Sequence, residues 1–114
     1  MIEYAKLLSK ITSELTAHNQ GLKSVFRRND LLYNQLTQIA YGVFKPHEVC
    51  DEHMHPTMYE YFFFIKGKGI YTLDGDDFKV EPGIFLEIPP KVNHKLAVTG
   101  NRNLEFVYWG VAID

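Results

Sequence analysis

Apolar residues at Ile2, Tyr4, Ala5, Leu7, Leu8, Ile11 and Leu15 recur at close to a 3.6-residue period, with Lys6, Lys10, Ser13 and Glu14 mostly on the other side. Residues 1–20 contain no Gly and no Pro, whereas all eight Gly and all five Pro lie from Gly21 onward. The pattern predicts one short N-terminal α-helix over about 2–17, stopped near Gly21. From Leu22 the texture changes. Segments such as LKSVFRR, NQLTQIAYGVF, MYEYFFFIKG and LEFVYWGVAI are rich in β-branched and aromatic residues, and turn residues punctuate them at short intervals. Many short strands at this spacing read as a sandwich or barrel. Asp74-Gly75 suits a two-residue type I′ turn, so 69–73 and 77–81 are expected to form a hairpin.

Two strands are apolar on both faces. Over 58–66, Glu60, Phe62 and Phe64 share one face, and Tyr59, Tyr61, Phe63 and Ile65 share the other. Over 104–113, Leu104, Phe106, Tyr108 and Ala112 oppose Val107, Trp109, Val111 and Ile113. The second face needs a cover. A 16-residue helix is only ~24 Å long and cannot cover all of it. A homodimer is therefore expected.

The chain has 114 residues, the size of one domain, divided here into a helical segment over 1–20 and a β-barrel over 22–113. Its net charge is −2, so no basic field exists to hold a phosphate backbone, and nucleic acid is not an expected partner. No apolar run approaches the ~20 residues of a membrane span. The start, MIEYAKLLSK, lacks the pattern of a signal peptide, and Cys50 is the only cysteine. Both point to the cytoplasm and away from the membrane.

The chemistry concentrates in a few residues. On a strand, His53-x-His55 puts both imidazoles on one face, about 6.6–7 Å apart along the chain, as a two-toothed metal clamp. A turn through Pro56-Thr57 would return Glu60 toward the same point. There Glu60 shares a face with Phe62 and Phe64, and a carboxylate so placed needs a strong partner such as a cation. Taken singly, each of these residues is also what a solvated strand or loop shows. The joint pattern is what points to a metal.

That joint pattern resembles the cupin superfamily of small β-barrels. The first cupin motif is matched by Gly42, His53-Met54-His55, Glu60 and Gly67, and the second by Gly83, Pro89 and His94. The likeness covers about residues 36–112. Gly42 lies farther from His53 than in the motif, Ile84 stands where many members have Asp, Lys91 replaces a Gly, and Val98 replaces an Asn. The resemblance implies an all-β double-stranded β-helix (a jelly-roll or cupin barrel), here with the N-terminal helix added. It also implies one divalent transition metal (Fe, Mn, Ni, Zn or Cu) held by His53, His55, Glu60 and His94. Ligand type alone does not choose among these metals.

The resemblance leads to a metal-dependent enzyme acting on a polar small molecule, with isomerase or epimerase chemistry on a carbohydrate-like substrate. Alternatives are an Fe(II) dioxygenase and a non-catalytic small-ligand-binding barrel. No general base is identified. Tyr41 and Tyr71 are the candidates for hydrogen bonding a substrate. His18 and His47 read as surface residues, and Arg27-Arg28 and Asp74, Asp76 and Asp77 as solvated. Cys50 is expected to face away from the site, because it lies three residues before His53.

Overall fold

The computed structural model of the protein describes residues 6–28 and 35–113. Ten strands follow in chain order: β1 (Glu14–Leu15), β2 (Leu22–Arg28), β3 (Leu36–Phe44), β4 (Val49–His53), β5 (Met58–Lys66), β6 (Lys68–Leu73), β7 (Asp76–Val80), β8 (Phe85–Ile88), β9 (His94–Thr99) and β10 (Leu104–Ala112). They form a six-stranded sheet in the order β1-β2-β3-β10-β5-β8 and a four-stranded sheet in the order β4-β9-β6-β7. All pairings are antiparallel. Among the described residues, no helix is long and apolar enough to cross a membrane.

The predicted N-terminal helix is not there. Residues 1–5 lie outside the described part, and the rest of the segment is a 3-10 turn over Leu8–Lys10 followed by β1. The reason is tertiary. β2 is otherwise an edge strand with unpaired backbone groups, and β1 pairs with it through Glu14↔Lys23 and Leu15↔Leu22. Glu14 then takes both bonds of the Arg28 guanidinium, at 3.0 and 2.8 Å. The return is fixed at Gly21, whose φ is +74° and whose absent Cβ leaves room for the Phe44 ring. The leucines that produced the helical period gain no core contact: Leu7, Leu8 and Leu15 stay exposed.

Elsewhere alternation controls the fold. Along β5, Phe62 and Phe64 are buried while Phe63 and Ile65 are exposed. Phe62, Phe64 and Phe106 meet between the sheets with ring centroids 5.4–6.0 Å apart, the usual range for aromatic packing. Leu96, Leu104, Val80 and Ile88 are fully buried alongside them. The hairpin β6–β7 turns at Asp74 (φ +48°) and Gly75 (φ +86°), as its sequence predicts. That turn also clasps the start of β9: the Asp74 N–H donates to the Asn93 carbonyl at 2.7 Å, and the Asn93 N–H donates to Asp74 Oδ1 at 2.8 Å.

The face opposite the core carries an aromatic ladder. Tyr61 stacks on Tyr59, Phe85 and Trp109, with centroids 6.3, 6.0 and 5.5 Å away. Phe85 is 55% exposed and Phe63 43%. No described N-terminal helix covers this face.

Lys91 has φ +70°, in the left-handed region that disfavours a side chain, and its N–H donates to the His55 carbonyl at 2.8 Å. This explains why a glycine is the usual residue of the motif here. Lys91→Gly is expected to stabilise the protein by about 1 kcal/mol, raising the thermal midpoint by about 4 °C in calorimetry. An unchanged or lowered midpoint would contradict this account of the turn.

Candidate metal centre

Four elements converge at one end of the space between the sheets. His53 ends β4, His55 follows it, Glu60 lies in β5, and His94 opens β9. Each offers one ligand atom, and the four atoms lie within 4.8 Å of one another. Register explains the meeting. His53 pairs directly with His94 across β4–β9, and Leu73 of β6 flanks His94 on its other side. The Lys91–His55 hydrogen bond and the Asp74–Asn93 clasp tie the two loops that carry His55 and His94.

Glu60 Oε1 lies 3.0 Å from His94 Nε2 and 3.2 Å from His55 Nε2. His94 is 1% exposed, and its Nδ1 lies 3.0 Å from the Val92 carbonyl oxygen. A carbonyl only accepts, so Nδ1 carries the proton, and in the neutral ring Nε2 is a lone pair aimed at Glu60. Neither Glu60 Oε1 nor His94 Nε2 has a well-directed hydrogen bond. Two buried acceptors 3.0 Å apart require a positive charge between them, either a proton or a metal ion. His53 repeats the arrangement: its Nδ1 lies 2.9 Å from the Asp51 carbonyl oxygen, which leaves Nε2 available as a ligand. Backbone carbonyls thus orient two of the three imidazoles in the manner of a metal site's outer shell, and the donor set fits a divalent transition ion.

The electrostatics agree. Burial would raise the Glu60 pKa, but the close approach and charge of His55 and His94 outweigh it and hold the carboxyl at about 2. The bond to Glu60 raises the pKa of His55 against the effect of its burial. Burial lowers that of His53, with repulsion from His94 in the same direction.

A cavity of about 230 Å³ opens beside the cluster. Its walls include Phe44, Met58, Phe62, Leu96 and Phe106, with Lys23, Thr37, Gln38, Tyr71 and Tyr108 as polar groups. Of the two tyrosine candidates, Tyr71 lines this cavity, fully buried, with its ring 6.1 Å from that of His94. Tyr41 does not. It sits on the other face of β3 from buried Ala40 and Gly42 and donates to Glu105 Oε1 at 2.8 Å. Burial and that carboxylate push its hydroxyl up to about 12.

Cys50 corrects the parity argument. β4 carries one extra residue between Cys50↔Leu96 and His53↔His94. This bulge turns Cys50 and His53 to the same side. Cys50 lines the cavity, its Sγ is 3.9 Å from His53 Nδ1, and burial first, then the nearby Glu60 charge, raises the thiol pKa to about 11. His18 is exposed, as expected, but it also lines the cavity mouth and packs on His53 with centroids 4.1 Å apart. His47 is exposed, and Arg28 is paired with Glu14.

Sequence reasoning missed Lys23, Gln38 and the site role of Tyr108. Gln38 is on the same strand row as buried Ala40, Gly42 and Phe44, and Lys23 lies opposite Gly42. A polar residue in an inward-facing row was the readable signal.

Fold and site together define a two-sheet antiparallel barrel with a three-histidine, one-carboxylate cluster at its open end. The cupin domain family profile matches residues 40–110, and the chain belongs to that family. It is 38% identical over 55 residues to an uncharacterized protein of Methanocaldococcus jannaschii, a match that covers 48% of this chain and 44% of that one. The chain thus spans less than half the length of this curated relative. Among solved structures it is similar to a predicted oxalate decarboxylase from Thermotoga maritima, with TM-score 0.80, 21% identity, and 93% and 96% of the two chains covered. It is also similar to an RmlC-like cupin from Shewanella frigidimarina, with TM-score 0.77, 12% identity, and 99% and 93% covered. These two likenesses are of fold.

The depressed Glu60 pKa has a definite consequence for metal-free protein. Its carboxylate contributes stability above its ordinary value of 4.5, and that stability is lost as pH falls from 4.5 toward 2. The opposed shifts of His53 and His55 act near pH 6.5, outside the acid limb, and the limb also contains exposed Glu14, whose pKa Arg28 lowers, so the comparison with Glu60→Gln picks out the Glu60 share. Chemical denaturation of chelator-treated protein is expected to show this loss, and Glu60→Gln is expected to flatten it. Equal acid limbs in both proteins would contradict the charge pairing.

Proposed function

We propose that this cupin is a small metal-dependent enzyme. It holds one divalent transition metal through His53, His55, Glu60 and His94 and acts on a polar small molecule in the adjoining cavity by isomerase- or epimerase-type proton transfer. The observation that carries this reading is the buried Glu60–His94 acceptor pair within a four-ligand cluster. A divalent ion there supplies a Lewis acid that polarises a carbonyl or hydroxyl oxygen. Lys23, Tyr71, Tyr108 and His18 bring transferable protons to the cavity walls. Burial raises the pKa of both Tyr71 and Tyr108 well above the usual phenol value, so each is a hydrogen-bond donor at neutral pH. A carbohydrate-like substrate, suggested by the family, would meet Lys23, Thr37, Gln38, Tyr71 and Tyr108 as hydrogen-bond partners beside the apolar walls of Phe44, Met58, Phe62, Leu96 and Phe106.

Metal analysis by mass spectrometry of protein purified without an affinity tag tests the reading. About one Fe, Mn, Ni, Zn or Cu per chain is expected, and the His53→Ala/His94→Ala double variant should lose it. A metal-free native protein whose melting is unmoved by all five ions would overturn the reading in favour of a metal-free binding barrel. Oxygen uptake by Fe(II)-loaded protein with substrate would instead select the dioxygenase alternative.

We also infer that the protein works in the cytoplasm, where its buried thiol stays reduced, and that it self-associates. The exposed ladder of Tyr59, Tyr61, Phe85 and Trp109 supports a second copy as its cover. Light scattering should give about twice the 13.2 kDa chain mass, falling to one chain in Phe85→Glu. A wild-type monomer at micromolar concentration would refute the dimer.

A further inference from the structure

Among the described residues, Lys23 is the one lysine or arginine that lines the metal-side cavity. Its obvious acidic neighbour is already engaged. Glu14 lies opposite it across β1–β2, but both Glu14 carboxylate oxygens accept from Arg28, at 3.0 and 2.8 Å. Lys23 Nζ donates to the neutral Gln38 Oε1 at 3.1 Å, which leaves further ammonium protons unassigned. Gln38 accepts through Oε1, so its amide NH₂ remains a donor. Tyr108 lines the same cavity, and its phenol O–H is a donor at neutral pH. Lys23, Gln38 and Tyr108 thus each bring donor protons to this cavity.

Charge points the same way. Among the described residues, Lys23 and Glu60 are the charged cavity residues besides the imidazoles, and nearby Glu14 is paired with Arg28. With a divalent ion bound, the charge of this cavity is net positive. An excess of positive charge against phenylalanine and leucine walls calls for an anionic ligand. The ligand acceptor must be compact enough for one ammonium and one phenol, and the rest of the molecule must tolerate Phe44, Leu96 and Phe106.

We propose that the ligand of this site is a small organic acid, whose carboxylate docks on Lys23 and Tyr108 while its apolar body lies along Phe44, Leu96 and Phe106. The inference rests on the metal-site reading for the far end of the molecule. The carboxylate end rests on Lys23, Gln38 and Tyr108 alone. Lys23 is here a specificity-determining residue, and Gln38 a positioning residue that acts through it.

Calorimetric titration of the metal-loaded protein tests this. The probes are 2-oxobutyrate and 2-hydroxybutyrate, each beside its uncharged amide, with inorganic phosphate and ribose as further arms. At least one acid is expected to bind, and its amide to bind ~10- to 100-fold more weakly. Lys23→Met should lose a similar factor for the acid and almost nothing for the amide, while metal content and melting temperature stay as in wild type. Lys23→Arg should recover most of the loss. Equal binding of acid and amide, no binding of either acid at 10 mM (about the weakest affinity worth the name), preference for phosphate or ribose, or indifference to Lys23→Met would each overturn the proposal. Metal content is measured on the same samples. If the protein holds no metal, the metal reading fails on that measurement, and the Lys23→Met comparison on metal-free protein still decides the carboxylate question.

Discussion

Glu60 places a carboxylate on the same strand face as Phe62 and Phe64, between two sheets, and its charge has to be met. An isolated buried carboxylate costs several kcal/mol or more, so the structure around it is arranged to deliver a cation. His55 and His94 approach one of its oxygens from two different strand ends, and His53 stands opposite His94. Carbonyls at Asp51 and Val92 engage the far side of two imidazoles, which turns their lone pairs inward. The Asp74–Asn93 clasp and the Lys91–His55 bond hold the loops that present them.

This arrangement separates two jobs by depth. The aromatic cluster of Phe62, Phe64 and Phe106 and the residues packed on it hold the sheets together. The cavity above it is left open, lined by apolar walls and a few donors. Gly42 helps to keep the two compatible, because a side chain there would enter the Phe106 ring, with an added Cβ 2.6 Å from it. Three of the four candidate ligands, His53, Glu60 and His94, lie on strands, with His55 in the short β4–β5 connection, which favours a fixed ligand geometry.

Legibility differed by element. The β texture, the Asp74-Gly75 hairpin and the inward row of Glu60, Phe62 and Phe64 follow from period-2 alternation and turn chemistry, which act over a few residues. The cluster of His53, His55, Glu60 and His94 was legible because its spacings matched a family pattern. The N-terminal helix was not, since Leu7, Leu8 and Leu15 carry a helical period without packing on anything described, and pairing with the β2 edge decided their segment. Cys50 was misplaced by counting strand parity through a bulge.

The local rules of the chain by themselves determined strand positions, the tight turn and the residue types able to bind a metal, because each depends on near neighbours. Only the tertiary structure decided that Lys23, Gln38 and Tyr108 share a cavity with the cluster of His53, His55, Glu60 and His94, that Tyr41 faces away from it, and that Cys50 faces it. These outcomes depend on cross-strand register and a single inserted residue, and both are settled by which distant strands pair rather than by any local preference.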